Sequence, residues 1–463
     1  MKNVLAIARL TFREGVRMRI VLVFVVVLGF LMLWLPFTVR GDQTVTGQLQ
    51  TFLSYSLGAT GLLLGLAGVF LSCSTLTTEF RSMTLHLVLT KPVSRIEVLA
   101  GKWLGINILL LLLLALCGAA IYGFAVLIKN RPASFERDRL NVRDVVWQAR
   151  VAATPKPPPD LEKEARQWVE SELRQGREFS RGTEFAVAQR LKQMEREWRR
   201  IPPQHFALYD FEGLVEPRDP ETVFQVRFRA NAKPMPLDEM IAIDFGFLDP
   251  ETHAWLGEVH RTQERANIWH EFLARGQGFI KDGRATLAVA NPAPPTRSTA
   301  IVFDEEPWIQ IMYTIGTFEE SYLKVLLLIA GRLAVLSALG LFFSVFVSFP
   351  VACFCVLTFY VICLGMPFWM EGIGANLELP VASVDPYGSF GPAVRLLLVP
   401  LMKFVFPNFS EYSGVDQLIA GEYVSTWLVS KAMLHTAVYG AVLLFVPGWA
   451  VFQRREIADV TVA

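Results

Sequence analysis

Six long apolar runs constrain the fold of this chain more than any other feature. A helix crosses the hydrocarbon core of a bilayer with about 20 mostly apolar residues, because the core is roughly 30 Å thick and each residue rises about 1.5 Å. The runs that reach this length are 20–37, 52–76, 104–128, 322–348, 351–370 and 429–452. The sequence therefore predicts a mainly α-helical membrane protein with six transmembrane helices.

Composition agrees with this prediction and excludes other classes of protein. Hydrophobic residues make up 52% of the chain and charged residues only 19%, so the bilayer must be part of its solvent. The formal net charge is +1, and no run of like charge suggests binding to nucleic acid. The first apolar run has a long polar N-terminal flank and no small-residue cleavage site after it, so we expect a retained helix rather than a signal peptide.

Lysines and arginines beside the short loops predict the orientation of the helices. With six spans, three basic clusters fall on one face, which the positive-inside rule makes cytoplasmic. The clusters are Lys2, Arg9, Arg13, Arg17 and Arg19; Arg81, Lys91, Arg95 and Lys102; and Arg454 and Arg455. Lys129 and Arg131 run against the rule but flank a long loop, which largely escapes it. We expect a multi-pass protein of the inner (plasma) membrane with both termini in the cytoplasm.

The first 19 residues form a separate basic segment. Leu5, Ala8 and Phe12 share one face of a predicted helix while arginines occupy another. This pattern predicts an amphipathic helix lying in the cytoplasmic interface of the membrane, with a simple charged flank for the first span as the alternative. The first three spans follow over residues 20–128.

The second run carries a stripe of small residues. Gly58, Gly61, Gly65 and Gly68 recur at intervals of three and four, so they share one helix face where another helix can approach closely. The stripe predicts a helix-packing seam. The sequence does not decide whether the seam lies within one subunit or between two.

The polar loop 77–103 joins the second and third spans. Apolar residues at mixed helical spacing are followed by Pro92, which breaks the chain, and Ser94 with Glu97 three residues later has the form of a capping box. The loop therefore predicts a short helix, a stop, and a new helix that runs into the third span.

A polar block over residues 129–318 interrupts the apolar pattern. The proline-rich stretch 151–160 indicates a linker or turn, and two charged amphipathic segments follow before Pro202 and Pro203. Alternating segments after residue 220 then predict strands separated by Pro, Gly, Asn and Asp turns. We expect an extracytoplasmic α+β domain with a helical arm (129–203) and an antiparallel β-sandwich (204–318). The block has no cysteine, so it folds without disulfides.

The C-terminal third contains the remaining spans. Residues 319–370 are predicted to hold the fourth and fifth, and residues 429–463 the sixth with a cytoplasmic tail. Between them, residues 371–428 form a predicted external loop. Its apolar stretch around Pro400 is short and carries Arg395 and Lys403, which suits an interfacial or re-entrant helix.

The usual motifs of enzymes are not found in the sequence. There is no phosphate-binding G-x-x-x-x-G-K-[ST], no H-E-x-x-H and no G-x-S-x-G, so we predict no catalytic residue and no ATPase activity of the chain's own. His253, His260 and His270 share one neighbourhood, but polar surroundings favour ordinary surface or hydrogen-bonded roles over metal binding. We expect neither a metal nor a cofactor on this chain.

Arg332 is the one charge deep in a predicted span. A central arginine costs about 2.5–3.5 kcal/mol on insertion scales, so it needs a partner, a cavity or the interface. Arg332 is therefore a candidate for the translocation path, with a snorkelling arginine nearer the helix end as the alternative.

The residues of loop 77–103 resemble those of the permease subunits of type-2 ABC exporters. The resemblance lies in an acidic residue, a short apolar helix, a proline-serine-arginine turn and a glycine-lysine pair before the third span. Its residues are Glu79, Thr84, Leu85, Lys91, Pro92, Val93, Ser94, Arg95, Glu97, Gly101 and Lys102. The basic interfacial helix and six spans agree with it.

This resemblance implies the partners and the coupling residues. Residues 78–90 would be the coupling helix that docks on a separate ABC-type ATPase, which binds the ATP and magnesium. The residues implied in coupling are Glu79, Arg81, Leu85, Pro92 and Arg95. A second permease subunit, identical or related, would complete the transporter.

The insert 129–318 departs from the simplest members of that family. Its position is similar to that of the external jelly-roll domains in lipopolysaccharide-extracting permeases, although the loop motif does not favour that family. The architecture suggests export of a lipid, glycan or hydrophobic substrate. The insert either receives cargo or binds an external protein or glycan, or it is a passive scaffold. The alternative function is a membrane-anchored binding or sensing module without transport.

Overall fold

The fold is described from a computed structural model of the chain. The structure describes residues 2–38, 44–82, 93–132, 135–158, 160–177, 179, 182–215, 223–250, 252–275, 278–294, 299–304, 307–369, 402, 406–443 and 448–450. The chain divides into two compact units. We call Met1–Ala149 with Gly316–Ala463 the membrane unit and Arg150–Ile315 the sheet domain.

The helices are numbered in chain order over the described residues. They are α1 (Lys2–Arg17), α2 (Arg19–Thr38), α3 (Val45–Arg81), α4 (Arg95–Lys129), α5 (Glu136–Asn141), α6 (Asp160–Arg174), α7 (Thr183–Trp198), α8 (Phe318–Ser344), α9 (Phe349–Leu364), α10 (Val415–Ile419) and α11 (Thr426–Leu443). A π-helical turn, Val142–Val146, follows α5.

Four described helices, α2, α3, α4 and α8, are long and apolar enough to cross a membrane. They correspond to the first four predicted spans. The fifth predicted span overlaps α9, which is apolar but has only 16 residues, and the sixth overlaps α11, which has 18. Residues 370, 444–447 and 451–452 of these two runs lie outside the described residues, so the fifth and sixth spans stay predictions.

Two of these helices are much longer than a bilayer requires. α3 has 37 residues and α4 has 35, so each extends over 50 Å, against about 30 Å for the hydrocarbon core. The second span was predicted to end at residue 76, but α3 continues to Arg81. The start of the predicted coupling helix, from residue 78, is therefore the last turn of α3.

Polar contacts fix how α4 packs on α8. Asn107 Nδ2 donates to Ser337 Oγ at 3.0 Å, and Trp103 Nε1 donates to the carbonyl oxygen of Ala334 at 3.0 Å. Nearer the other end, Tyr322 Oη donates to the carbonyl oxygen of Gly118 at 2.7 Å. Each bond gives a buried donor an acceptor, which matters because unmet polar groups are costly in an apolar interior.

The sheet domain contains three sheets over its described residues. The strands are β1 (Gln148–Ala153), β2 (Arg200–Ile201), β3 (Phe206–Glu212), β4 (Val223–Phe228), β5 (Asn231–Lys233), β6 (Met240–Leu248), β7 (Trp255–Arg265), β8 (His270–Arg275), β9 (Arg284–Ala290), β10 (Ala300–Val302) and β11 (Ile309–Thr317). The sheet orders are β1-β11-β4-β8, β2-β10-β5 and β3-β9-β6-β7.

Antiparallel pairing and an aromatic core hold these strands together. β3 pairs with β9 from Phe206 opposite Ala290 to Glu212 opposite Arg284. Phe228 and Phe245 are buried with ring centroids 4.6 Å apart. Alternating sequences predicted the strands β4, β6, β9 and β10, and the structure confirms these four. The arrangement of the sheets as an extracytoplasmic sandwich stays a prediction.

The structure differs from the sequence prediction at residues 148–153. The first half of this stretch precedes the proline-rich linker predicted over 151–160 and the second half lies within it, yet the whole stretch forms β1 and pairs in the sheet beside β11. Ala149, Arg150 and Ala153 are buried there. Its neighbours come from far along the chain, so the short strand has no strong local signal. The two charged amphipathic segments form α6 and α7, whose Ala165, Val169, Ala186 and Val187 form a small core, and the helical arm over 129–203 stays a prediction.

Candidate functional site

The structure describes both helix ends that flank the predicted coupling loop. α3 ends at Arg81, and α4 begins at Arg95 behind the N-cap Ser94. Ser94 Oγ accepts from the Glu97 backbone N–H at 3.3 Å, and Glu97 Oε2 accepts from the Ser94 N–H at 3.0 Å. The predicted capping box is confirmed. Residues 83–92, with Leu85 and Pro92, lie outside the described residues.

The last turn of α3 is tied to α4 by an ion pair. Lys102 Nζ lies 2.6 Å from Glu79 Oε1, and the two side chains are 3% and 16% exposed. The second carboxylate oxygen of Glu79 is buried and has no hydrogen-bond partner among the described residues. Glu79 thus points into the membrane unit, whereas Arg81, two residues later, is exposed. Charge-assisted pairs at this distance are among the stronger hydrogen bonds in proteins.

Two glycines on α4 bring α1 against the same place. A Cβ on Gly105 would lie 2.5 Å from the carbonyl oxygen of Ala8, and one on Gly101 would lie 2.7 Å from Ile7 Cβ. Any larger residue at either position would push the α1 backbone away. The glycine pair therefore brings α1 into direct contact with α4 on both sides of Lys102 along the helix.

Glu14 on α1 completes a cluster of three charges with Glu79 and Lys102. Although Glu14 is exposed at the helix surface, partial burial of its carboxyl group raises its pKa. The Lys102 ammonium opposes that rise and the Glu79 carboxylate adds to it. Sequence reasoning missed this cluster. Gly101 and Gly105, four residues apart where the loop enters the third predicted span, were the available signal that a helix packs closely there.

The glycine stripe of α3 faces neighbours in the same chain. Ideal Cβ atoms would lie 3.4 Å from Leu336 Cδ1 at Gly65 and 3.0 Å from Leu110 Cδ1 at Gly68. At Gly61 the nearest atom is Arg332 Nη1, at 3.8 Å. No described atom lies within 4 Å of the position at Gly58. Within the described residues, the predicted seam is filled by α4, α8 and α9 of this subunit.

Arg332 lies near the middle of α8, fourteen residues after its start and twelve before its end. Its Nη2 donates to the carbonyl oxygen of Phe409 at 2.8 Å, and its guanidinium carbon lies 5.5 Å from the Phe409 ring centroid. The Nε atom is buried and has no hydrogen-bond partner among the described residues. Arg332 is thus inside the membrane unit, held by a carbonyl and a ring.

The carbonyl that holds Arg332 belongs to a non-helical segment, residues 406–414. This segment carries further polar contacts to α11. Tyr412 Oη lies 3.2 Å from His435 Nδ1, and Lys431 Nζ lies 3.2 Å from Glu411 Oε1. These groups form a polar line along one side of α11 and the 406–414 segment.

Comparison with known proteins assigns the first part of the chain. Residues 5–137 match the family model described as ABC-2 family transporter protein. The matched segment is less than a third of the chain and is similar to an ABC-2 transporter permease. The match covers α2 to α4, nearly all of α1, and the Glu14, Glu79 and Lys102 cluster, and it confirms the resemblance found in loop 77–103. No curated protein and no solved structure matches the chain.

The family match supports a role in membrane transport for a multi-pass membrane protein. Permeases of this family are the transmembrane component of an ABC transporter and not its ATPase, which implies partnership with an ABC ATPase subunit. Arg332 and the sheet domain lie outside the matched segment. Their roles must be argued from the structure alone.

The sheet domain contains a polar cleft of about 330 Å³. Its lining residues are Asp210, Phe211, Glu212, Pro250, His253, Lys281, Asp282, Arg284, Ala285 and Thr286. Several charges of the cleft are already paired. Lys156 Nζ lies 2.7 Å from Glu212 Oε2 and lowers the pKa of that carboxyl, and Lys281 pairs with Asp249.

His253, His260 and His270, which are neighbours in the sequence, lie in different surroundings. His253 lines the cleft, His260 stacks on Phe272 with ring centroids 4.2 Å apart, and His270 lies 3.0 Å from Glu264. Among the described residues, no group of three or more His, Cys, Asp or Glu side chains is placed to hold a metal ion. His260 therefore has an aromatic packing partner, and His270 has a carboxylate partner.

Proposed function

We propose that the chain is the permease subunit of an ABC exporter in the plasma membrane, driven by a separate ATPase. In this proposal both termini are cytoplasmic, and a second permease subunit, identical or related, completes the translocation path. The observation that carries it is the family match over residues 5–137, which includes both helices that flank the coupling loop. ATP and magnesium would be bound by the partner ATPase.

The C-terminal end of α3 and the N-terminal end of α4 suggest how movement of the coupling loop is transmitted to the membrane helices. Both helices are continuous, and the Lys102 to Glu79 pair joins them immediately beside the loop. Because Gly101 and Gly105 hold α1 against α4 there, the three helices must move together when the ATPase pulls on the loop. Glu79 acts as a positioning residue through Lys102, and the exposed Arg81 is better placed to touch the ATPase.

The substrate proposed from the architecture is a lipid, a glycan or another hydrophobic molecule. Arg332 would line its path, since it is a cation inside the membrane unit with few protein partners. An external protein or glycan is the proposed partner of the sheet domain. The polar cleft supports a role in binding, because its hydrogen-bonding side chains converge on one concave site.

Charge reversal beside the loop tests the coupling proposal. Arg81→Glu and Arg95→Glu should each weaken co-purification with the ATPase and lower permease-stimulated ATP turnover, by about tenfold for a loss of 1.4 kcal/mol. Arg143→Glu is the matched control, because the Arg143 side chain is 79% exposed and lies far along the chain from the loop.

A loop replacement gives the decisive result. Replacing residues 83–92 with a flexible linker leaves the Glu79 to Lys102 pair intact, so the membrane unit should still fold. We expect loss of ATPase association. Full association and full stimulated turnover after this replacement would contradict the proposal and favour a membrane-anchored binding module.

A further inference from the structure

We infer that Arg332 binds the anionic head group of an amphipathic substrate, through a phosphate or carboxylate. This inference rests on the proposed transport function and narrows its substrate class. Three features carry it: an undersatisfied guanidinium, non-helical backbone beside it, and a polar line from α11.

The guanidinium of Arg332 has more donors than the protein supplies acceptors. Arginine has five N–H donors and keeps its charge in proteins. The described residues provide one carbonyl oxygen, at 2.8 Å, and the face of one ring. The buried Nε has no acceptor among them. An anion placed beside Nε would satisfy this donor and supply the missing negative charge.

Lys324, a buried lysine on the same helix, is a cation with a carboxylate partner and serves as the comparison for Arg332. Lys324 is 7% exposed, and its Nζ lies 2.6 Å from Glu320 Oε1 and 3.9 Å from the Tyr423 ring centroid. Arg332 has no carboxylate within ion-pair distance in the described part of the chain. Since an intramembrane charge is costly without a partner, a ligand is the natural counter-ion.

The backbone geometry around Arg332 also suits a binding site. An ideal Cβ at Gly61 would lie 3.8 Å from Arg332 Nη1, so the glycine lets α3 pack close to the guanidinium without a clash. The 406–414 segment places non-helical backbone beside the middle of α8. At membrane depth such backbone is tolerated where it is buried in protein or lines a cavity, and it is typical of substrate sites in transporters.

The polar line gives a path toward Arg332. It runs from the half-exposed Lys431 and Glu411 pair to Tyr412 and His435. Thr436 follows His435 in α11, and its Oγ1 would lie 3.2 Å from a Cβ placed on Gly331, the residue before Arg332. A charged head group could exchange hydrogen bonds along this line while its apolar tail stays against the helices.

The shape of the guanidinium and its surroundings define the ligand. A planar fork of donors matches the oxygens of phosphate and carboxylate. Phe409, Leu336 and Tyr360 nearby are apolar or aromatic and belong to one buried cluster. A head group with an apolar tail fits this combination better than a free ion does.

Lipid binding to the purified full-length chain tests the inference directly. Wild-type chain in phosphatidylcholine nanodiscs is titrated with phosphatidylglycerol, and bound lipid is counted by native mass spectrometry. We expect Arg332→Gln to weaken retention of phosphatidylglycerol by about tenfold, equivalent to loss of roughly 1.4 kcal/mol. Arg332→Lys keeps the charge without the planar fork and should retain part of the preference. Lys324→Gln, a cation already paired on the same helix, should leave retention unchanged.

The other arms separate the outcomes. Inorganic phosphate that competes with phosphatidylglycerol only in wild-type chain would support an oxyanion site that also takes a free anion. Equal retention by wild type, Arg332→Gln and Arg332→Lys would overturn the inference. Because lipid binding is measured without the ATPase, this result is distinct from failure of the transport proposal, which would appear as lost co-purification.

Discussion

Two cations of the membrane unit, Lys102 and Arg332, are held in opposite ways. Lys102, at the base of α4, is 2% exposed, has a carboxylate at 2.6 Å and is closed in by α1. Arg332, in the middle of α8, has a carbonyl and a ring, and a glycine stands opposite it. The charge of Lys102 is neutralised by a carboxylate of the protein, and the pair joins two helices. The charge of Arg332 has no such partner among the described residues, so it is available for a ligand.

The largest expected effect follows removal of the counter-ion of Lys102. Glu79→Ala leaves a buried, unpaired ammonium, so we expect it to lower the free energy of unfolding by about 3–5 kcal/mol. Denaturant titration of the detergent-solubilised chain measures this change. The double variant Glu79→Leu with Lys102→Met removes both charges and should recover most of the loss. Equal destabilisation by the single and double variants would show that the pairing is unimportant.

A matched pair of glycine substitutions sharpens the contrast in packing. Gly105→Ala places a methyl group 2.5 Å from the Ala8 carbonyl oxygen, so α1 must shift, at a cost of about 1–3 kcal/mol. Gly61→Ala has its nearest contact, Arg332 Nη1, at 3.8 Å and should be tolerated. Proteolysis at α1 and denaturant titration check both variants. If Gly61→Ala were the more damaging of the two, the packing described between Gly61 and Arg332 would be wrong.

The smallest expected effect on stability is that of removing the Arg332 charge. Arg332→Met leaves the Phe409 carbonyl without its donor but removes a costly intramembrane charge, and these terms roughly cancel. We expect the free energy of unfolding to change by no more than about 1 kcal/mol in zwitterionic detergent. A loss as large as that for Glu79→Ala would mean that Arg332 is structural and would remove the contrast with Lys102.

The sequence predicted elements with strong local signals and missed those set by distant contacts. Hydrophobic runs located α2, α3, α4 and α8, because a helix that crosses the bilayer must be long and apolar, and both properties are visible in the sequence itself. Ser94 and Glu97 predicted the start of α4 because a capping box is local. β1 was missed, since its neighbours come from the other end of the sheet domain.

Some residues of the candidate site could be predicted from the sequence, but their contacts could not, for the same reason. Glu79 and Lys102 were both singled out in the loop motif, yet their pairing requires the register of two helices that the loop connects. Glu14 was not singled out, because an acid on a basic amphipathic helix looks like ordinary surface charge. Arg332 was identified as a charge in a span, but its single acceptor on Phe409 depends on a segment that no local pattern places beside α8.

The continuity of α3 has a mechanical consequence. Its 37 residues make a rod of about 55 Å with no proline in it, so the rod tilts rather than bends. A tilt of about 5° about one end would displace the other by about 5 Å over that length. Gly61 lies near the middle of the rod, twenty residues from the end at Arg81. α3 is therefore a lever arm on which a push at the Arg81 end also moves the surface facing Arg332.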